Sequence, residues 1–450
     1  MANAARWQRA PQYERHDGQS PIPGARTPGW DLLLVCLAVY VATAVGRIHE
    51  LFPMLLPLKP ALVAAILAIG LYTLQHSGQR RVGLLRSPTT TYLLGLVLWG
   101  AVSVPAALNQ GLAFQSWTDF VRTVVMCLVV AGSVRRVPDV ERLILVYLAA
   151  TVVYTAVVLS RFQLGADNWR LGDLYTYDAN DLATLIATAM PMGLYFVLGQ
   201  RRPLVRLLAG TGLAVLAVGL IRSGSRGGFL AFLAVTAFVL VRVTTIPARS
   251  RLAGLVVILA VVFGTASDKY WTQMQTIVHF EQDYNMTSDE GRVQIWKRGI
   301  GYMVDHPAFG VGMRNFPVAE GTISPKAKLR ERGRGVWWGA AHNSYVQAAA
   351  ELGIPGLLLF IGLFASAFVA LGRVARRALQ VSPAGSDVSR LAQCLLATLV
   401  GFAVGAFFLS LAYADMLYML MALTIALAKS ARAREAARPA FVPRYGPHPS

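Results

Sequence analysis

Two arginines, Arg222 and Arg226, stand four residues apart in a Gly/Ser turn between two apolar runs. The turn, residues 221–228, reads IRSGSRGG and opens a predicted helix. Such a turn combines two guanidinium groups with a helix N-terminus, an arrangement that binds phosphate or diphosphate oxygens. The alternative is that both side chains bind lipid head groups at a membrane surface.

A third arginine, Arg292, lies in the first turn of another predicted helix. A cation there opposes the helix dipole, so we expect an anion to face it. That anion is either a ligand or a neighbouring carboxylate, because Asp289 and Glu290 directly precede it.

His342 begins the pattern His342-Asn343-Ser344-Tyr345 at the start of a predicted helix. A neutral imidazole, with a reference pKa of about 6.5, can take a proton from a hydroxyl group near neutral pH. The alternative is a structural cap of the helix. Asn343 and Tyr345 beside it, and Asn180 in an earlier polar loop, are secondary candidates for contact with a ligand.

Metal chemistry has no obvious ligands in this sequence. The predicted exposed loops hold no Asp-x-Asp pair and no Glu/His cluster with metal-ligand spacing, so we expect neither a metal nor another cofactor. A transfer reaction that releases a diphosphate would then need cationic side chains to stabilise the leaving group.

Composition identifies the scaffold that must position these residues. The chain has 450 residues, of which 55% are hydrophobic and 14% charged. Apolar runs long enough to cross a bilayer recur throughout, which predicts an all-α polytopic membrane protein of about twelve helices. The predicted spans lie near residues 31–46, 58–75, 89–108, 117–133, 140–160, 181–198, 204–221, 227–243, 251–267, 354–372, 391–411 and 415–428.

The net charge of +19 reflects membrane topology and not binding to nucleic acid. Most Lys and Arg residues fall on one side of the predicted spans, together with both chain termini. By the positive-inside rule that side is cytoplasmic, so Arg222, Arg226, Arg292 and His342 face outwards. The spans carry no ionisable residues at mid-depth, which argues against an ion-coupled transporter.

Five regions follow from these patterns. We expect a disordered cytoplasmic tail at 1–29, helices one to nine at 30–267, a folded periplasmic loop at 268–345, helices ten to twelve at 346–428, and a cytoplasmic tail at 429–450.

Within the large loop, a helix capped by Ser288 should run to Asp305. Val293, Trp296, Ile300 and Met303 should form its apolar face, and Lys297 and Arg298 its solvent face. A second helix should begin near Ala341 and end at Gly353, before the chain re-enters the membrane.

Four short motifs, in this order, resemble the O-antigen ligase and polymerase superfamily of bacterial envelope glycosyltransferases. They are Ser225-Arg226-Gly227-Gly228, Gly291-Arg292-x-x-Ile295-Trp296, Pro307-x-x-Gly310-x-Gly312 with Phe316, and His342-Asn343-x-Tyr345 followed by Leu352-Gly353-x-x-Gly356. The motifs span roughly residues 170–370, and the twelve-helix layout extends the resemblance to the whole chain.

The resemblance implies an inverting, metal-independent transferase whose donor is a glycan on undecaprenyl diphosphate. Arg226 and Arg292 would bind the donor diphosphate, with Arg222 as a nearby third cation, and His342 would activate the acceptor hydroxyl. The length of the chain favours an O-antigen ligase with lipid A-core as acceptor. An O-antigen polymerase, a protein O-oligosaccharyltransferase and a non-enzymatic flippase or exporter of lipid-linked sugar remain the alternatives.

Overall fold

The computed structural model describes residues 29–75, 87–161, 169–171, 176–199, 202–279, 281, 283–288, 290–327, 339–381 and 386–436. These residues form an all-α protein, as the sequence predicts. Residues 1–28 and 437–450 of the predicted tails and the segment 328–338 lie outside the described residues, whereas residues 429–436 of the predicted C-terminal tail belong to the last helix.

In the part of the chain that the structure describes, twelve helices form the apolar bundle. They are α1 (Leu32–Ala44), α3 (Pro60–Gln75), α4 (Pro88–Ser103), α5 (Gln110–Ser133), α6 (Val137–Arg161), α7 (Ala179–Gly199), α8 (Pro203–Ser223), α9 (Arg226–Arg242), α10 (Ala248–Thr265), α15 (Ser344–Val381), α16 (Ser386–Ala406) and α17 (Asp415–Ala436). Five shorter helices connect or cover them: α2 (Ile48–Leu51), α11 (Asp268–Gln275), α12 (Tyr284–Thr287), α13 (Arg292–Asp305) and α14 (Phe316–Thr322).

Nine helices in the described ranges are long and apolar enough to cross a membrane. They are α4 with the turn that follows it, α5, α6, α7, α8, α10, α15, α16 and α17. The other three predicted spans, α1, α3 and α9, are helices of 13, 16 and 17 residues. The polytopic all-α class is confirmed, and the count of twelve spans stays a prediction.

Three helices, α7, α16 and α17, form the centre of the bundle, where most of their residues are buried. Helix α7 packs against α8 and α16, and α16 also packs against α15 and α9. Helix α10 lies at the periphery and has no buried residue. Because α7 is packed in the centre of the bundle, its first residues are held in a fixed position and can position a functional site.

A small folded unit covers one end of the bundle, and we call it the cap: the described residues between Asp268 and His342. Its core contains Ile295, Tyr302, Val311, Phe316 and Ala319. The cap helices α13 and α14 are joined by a buried ion pair, in which Arg298 Nη2 lies 2.6 Å from Glu320 Oε2. Tyr302 donates a second hydrogen bond to Glu320 at 2.7 Å.

The cap corrects three expectations. Helix α13 begins at Arg292 with Gly291 as its N-cap, while Ser288 follows the separate short helix α12. Its buried face consists of Ile295, Gly299 and Tyr302. Ile300, which the predicted apolar face included, is exposed. Arg298, expected in solvent, is half-buried because it pairs with the Glu320 carboxylate of the neighbouring helix, a contact that helical periodicity cannot reveal.

A break in α15 at Gly353 joins the cap to the membrane bundle. Gly353 has φ 69° and ψ −169°, which ends the helical hydrogen bonding and agrees with the predicted helix end there. The freed backbone groups bind the cap loop: Val311 N donates to Ala350 O at 2.8 Å, and Ile354 N donates to Pro307 O at 2.8 Å. Trp99 of α4 donates to the Leu352 carbonyl at 2.9 Å.

The buried carboxylate of Glu351 adds to this junction. It accepts the backbone N–H of Arg314 at 2.9 Å and that of Phe316 at 3.3 Å. These two hydrogen bonds satisfy the buried carboxyl group of Glu351, and they orient the cap loop on the helix. The cap is therefore held in register with the first turns of α15.

We expect Gly353→Ala to lower the thermal unfolding midpoint of the detergent-solubilised protein. A Cβ atom at this position would lie 2.5 Å from the Ala308 carbonyl oxygen, and alanine also disfavours the positive φ. Together these should cost about 1–3 kcal/mol. Gly372→Ala, in the same helix but with open space around it, is the matched control and should be neutral or slightly stabilising. Equal midpoints for the two variants would contradict the role assigned to Gly353.

Candidate functional site

Four helices begin at the junction of cap and bundle, and each places a polar residue there. Arg226 is the first residue of α9, and Arg292 is the first residue of α13. Asp178 precedes α7, and its carboxylate accepts the N–H groups of Asn180 and Asp181 at 2.7 Å. His342 lies just before α15. Helix N-termini carry partial positive charge, so this junction favours an anion.

The turn between α8 and α9 holds Arg226 in place. Gly224 adopts φ 57°, and Ser225 caps α9 by accepting the Gly228 N–H at 3.1 Å. Two glycines then allow close packing, because a side chain at Gly227 would meet Phe408 and one at Gly228 would meet Ala183. The Ser225-Arg226-Gly227-Gly228 motif thus serves close helix packing and leaves the arginine side chain as the group that projects from the turn.

The Arg226 guanidinium is engaged by the cap. Its Nη1 donates to Thr276 Oγ1 at 2.6 Å and to Asp283 Oδ2 at 2.7 Å. Burial alone would raise the pKa of Asp283, but hydrogen bonds from Arg226 and Asn285 outweigh it and hold that pKa below its usual value. Asp283 is therefore ionised at neutral pH and occupies one edge of the Arg226 guanidinium.

Arg292 is half-buried and has no hydrogen-bond partner among the residues that the structure describes. Burial lowers the pKa of Arg292, and the positive charges of Arg226 and Arg170 lower it further, while Asp178 and Asp283 act in the opposite direction. An arginine nevertheless stays protonated in proteins. A cation held among other cations, without a neutralising contact, is suited to bind an anion.

Arg170 is the third cation of the cluster, and it was not among the predicted site residues. Its Nε donates to the Ser223 carbonyl at 2.8 Å and its Nη2 to Asn180 Oδ1 at 3.1 Å. Burial lowers the pKa of Arg170, the Asp178 carboxylate raises it, and Arg226 lowers it again. Arg222 is not among the charges that act on Arg292, although it lies in the same turn as Arg226.

His342 lies next to this cluster, because the charges of Arg292 and Asp178 act on its imidazole. The residue is half-buried and adopts φ 48°, a left-handed conformation that few non-glycine residues take and that costs of order 1 kcal/mol. Its backbone N–H donates to Ser410 Oγ at 2.8 Å, and Trp296 of α13 donates to the carbonyl of the preceding Ala341 at 3.1 Å. These contacts from both sides hold the imidazole at the junction.

The imidazole is neutral at neutral pH. Burial lowers the pKa of His342 below its usual value, the charge of Arg292 lowers it further, and Asp178 acts in the opposite direction. A neutral imidazole has a free nitrogen lone pair and can accept a proton. The same pKa effect shows that His342 and Arg292, 50 residues apart in the sequence, are close enough to interact.

The three secondary candidates have structural partners. Asn343 is buried and caps α15, because its Oδ1 accepts the N–H of Tyr345 at 2.9 Å and of Val346 at 3.1 Å. Tyr345 donates to the Ala403 carbonyl at 3.0 Å and packs against Phe360 and Phe407. Asn180 accepts the hydrogen bond from Arg170, so of the three it alone adjoins the arginines.

A sequence signal for Arg170 and Asp178 existed but was weak. Both lie in the polar loop before α7, whose composition suits a sugar ligand and from which only Asn180 was predicted as a site residue. A buried arginine needs hydrogen-bond partners, and the partners of Arg170 are a carbonyl from α8 and an amide from α7. Only the packing of these helices brings the groups together.

Among the described residues, no group of three or more His, Cys, Asp or Glu side chains is arranged to hold a metal ion.

We expect Arg292→Gln to raise the pKa of His342. The substitution removes a positive charge that disfavours the imidazolium form, so protonation should begin at a higher pH. The pKa can be followed by an NMR titration of the histidine ring signals, assigned with His342→Ala. Lys297→Gln, which removes an exposed cation of the same helix, is the control and should leave the titration unchanged. An unchanged or lower pKa in Arg292→Gln would show that the two side chains do not interact.

A family model matches about a third of the chain. Residues 211–361 match the family model described as "O-Antigen ligase". The matched segment includes Arg222, Arg226, Arg292 and His342, while Arg170 and Asp178 precede it. No curated protein matches the chain. The family match, on an all-α polytopic scaffold, supports membership of the O-antigen ligase superfamily and a glycosyl transfer of the ligase or polymerase type.

Proposed function

We propose that the protein is an O-antigen ligase of the bacterial inner membrane. In this reaction O-antigen polysaccharide passes from undecaprenyl diphosphate to the lipid A-core oligosaccharide on the periplasmic side. The observation that carries the proposal is the gathering of Arg170, Arg226 and Arg292 beside His342, at the start of four helices. The family match supports the general class of the reaction.

The donor diphosphate would bind to the arginines. Arg226 and Arg292 are the principal contacts, and Arg170 supports them from the loop before α7. Three cations with helix N-termini supply the charge that stabilises a departing diphosphate, so the step needs no metal ion. Binding of the donor would also displace Asp283 from Arg226, because both anions use the same guanidinium edge.

His342 would act as the general base. The neutral imidazole takes the proton of the acceptor hydroxyl as that oxygen attacks the anomeric carbon of the donor sugar. The new glycosidic bond forms as the bond to the diphosphate oxygen breaks, and undecaprenyl diphosphate leaves with the electron pair. Attack from the face opposite the leaving group inverts the anomeric configuration.

An apolar cavity supports a lipid-linked donor. It has a volume of about 470 Å³ and lies among α7, α8, α9 and α10, with Met190, Ala217, Val235 and Val257 among its lining residues. Val235 is nine residues after Arg226 on α9, a distance of about 13 Å along the helix axis. A polyprenyl chain that descends from a diphosphate at Arg226 would run along this face.

Arg226→Gln should weaken donor binding much more than Arg222→Gln, although both arginines lie in one turn. Loss of a charged hydrogen-bond donor to a phosphate should raise the donor KM about tenfold or more. Arg222 is the matched comparison because it has no described contact with the cluster. The measurement is glycan transfer by purified enzyme at varied donor concentration. Equal effects of the two substitutions would remove the assignment of the donor site.

His342→Ala should reduce kcat about 10²- to 10⁴-fold while the protein remains folded, the usual range for loss of a general base. Transfer is measured in the presence of EDTA with lipid-linked donor and rough lipopolysaccharide. Lys297→Gln is the control for substitution of an exposed polar residue. Near-normal transfer by His342→Ala would exclude a general base at this position, and loss of wild-type transfer on addition of EDTA would exclude a metal-independent reaction.

The product distinguishes a ligase from a polymerase. A strain without the ligase should accumulate long glycans on undecaprenyl diphosphate, whereas a strain without the polymerase should leave single repeat units on lipid A-core. Electrophoresis of lipopolysaccharide from a deletion strain, with and without the restored gene, gives the answer. Single repeat units on core would identify the polymerase alternative and exclude ligation.

A further inference from the structure

A second cavity lies beside the arginine cluster, and neither the donor site nor His342 accounts for it. Its volume is about 360 Å³, within the range of ~300–1,000 Å³ typical of small-molecule sites. Four regions form its walls: the end of α1 with Arg47, the face of α5 from Ser116 to Thr123, residues 176–181, and the 411–416 segment. Arg314 of the cap also lines the cavity.

Two of these walls are shared with the candidate site. In the segment before α7, Thr176, Tyr177 and Asp181 line the cavity, while Asp178 acts on Arg292 and His342. In the loop between α16 and α17, Ser410 accepts the His342 N–H, and the next residue, Leu411, lines the cavity. Along both walls, only a few residues of the chain therefore separate the cavity lining from the residues that contact His342 or act on its charge.

The charges in the cavity differ from those of the arginine cluster. Two arginines, Arg47 and Arg314, and three acidic side chains, Asp119, Asp181 and Asp415, line the cavity. Acidic side chains outnumber arginines in this lining, so the site is less suited to a phosphate group than a cluster of cations is. It offers both donors and acceptors at short range, which is what the hydroxyl groups of a sugar require, since each hydroxyl donates one hydrogen bond and accepts others.

Several polar groups in the walls are held in place. The Thr123 hydroxyl donates to Asp415 Oδ1 at 2.8 Å, and Arg47 Nη1 donates to Glu50 Oε1 at 3.2 Å. Arg47 Nε is buried and has no hydrogen-bond partner among the described residues. The Arg47 side chain as a whole is 28% exposed, so its remaining N–H groups, and not Nε, can reach a ligand hydroxyl. The side chains of Phe120 and Tyr413 add apolar groups to the lining.

We propose that this cavity is the acceptor site: it binds a hydroxyl-rich oligosaccharide and presents one hydroxyl to His342. The inference rests on the proposed glycosyl transfer and adds where the acceptor lies and how it is recognised. Arg47, Arg314, Asp119 and Asp415 bind the sugar hydroxyls. The arginine cluster and the cavity then hold the two substrates on either side of the 176–181 segment.

The test separates the two binding sites in the purified full-length protein, without any turnover. The probes are core oligosaccharide released from rough lipopolysaccharide by mild acid, and inorganic pyrophosphate. Isothermal titration should give a Kd for the oligosaccharide that rises about tenfold or more in Arg47→Gln and in Arg314→Gln. Both variants should bind pyrophosphate as the unmodified protein does. Arg292→Gln should show the opposite pattern, and Lys297→Gln should change neither affinity.

A second measurement uses the protein without substitutions, so it tests the acceptor site even when a variant does not fold. Phenylglyoxal modifies accessible arginines, and mass spectrometry locates the modified peptides. Core oligosaccharide should protect Arg314 from modification, and pyrophosphate should not. Lack of protection by the oligosaccharide, no oligosaccharide binding by the unmodified protein, or oligosaccharide binding that depends on Arg292 but not on the cavity arginines would each overturn the assignment.

The failure of one proposal is distinguishable from the failure of the other. If the oligosaccharide binds in the cavity but no transfer occurs, the cavity is confirmed as an oligosaccharide-binding site and the proposed ligase reaction is excluded. If transfer occurs and neither Arg47→Gln nor Arg314→Gln alters acceptor affinity, the ligase reaction stands and the cavity is not the acceptor site.

Discussion

Repulsion among like charges is the constraint on which the site depends. Arg170, Arg226 and Arg292 are close enough to act on one another, and two of them are the first residues of helices whose dipoles also disfavour a cation there. Such a cluster costs free energy unless the surrounding structure fixes it. Asp178 and Asp283 offset part of this cost, and an anionic ligand would offset the remainder. In the proposed reaction, this electrostatic strain would become binding energy for the donor diphosphate.

The helix break at Gly353 and the carboxylate of Glu351 explain how the cap meets this requirement. Arg292 belongs to the cap, whereas Arg226 belongs to the membrane bundle, so their relative position depends on the junction between the two. Backbone hydrogen bonds to Ala350 and from Ile354, together with the Glu351 carboxylate, fix the cap loop on α15. The same helix begins beside His342. One helix therefore sets the positions of both Arg292 and His342.

The sequence predicts the helical membrane class, the cap and the grouping of Arg226, Arg292 and His342, because apolar runs and helix-start signals are local features. It fails where a contact depends on packing. The helical pattern places Arg298 in solvent, whereas in the structure it pairs with Glu320 of the next helix. Ile300 has the spacing of an apolar helix face, but in the structure its side chain is exposed. Arg170 belongs to the site because α7 and α8 supply its partners, and no local pattern indicates that.

The attachment of Arg170 to the Ser223 carbonyl divides the site between two stretches of chain. Residues 211–361, which carry the family match, contain Arg226, Arg292 and His342 but neither Arg170 nor Asp178. A chimera that exchanges only that stretch between two proteins would pair one protein's guanidinium cluster with the other's loop. If the proposed site is correct, an exchange of substrate preference requires residues 169–181 to be transferred together with the matched segment, so that both stretches come from the same protein.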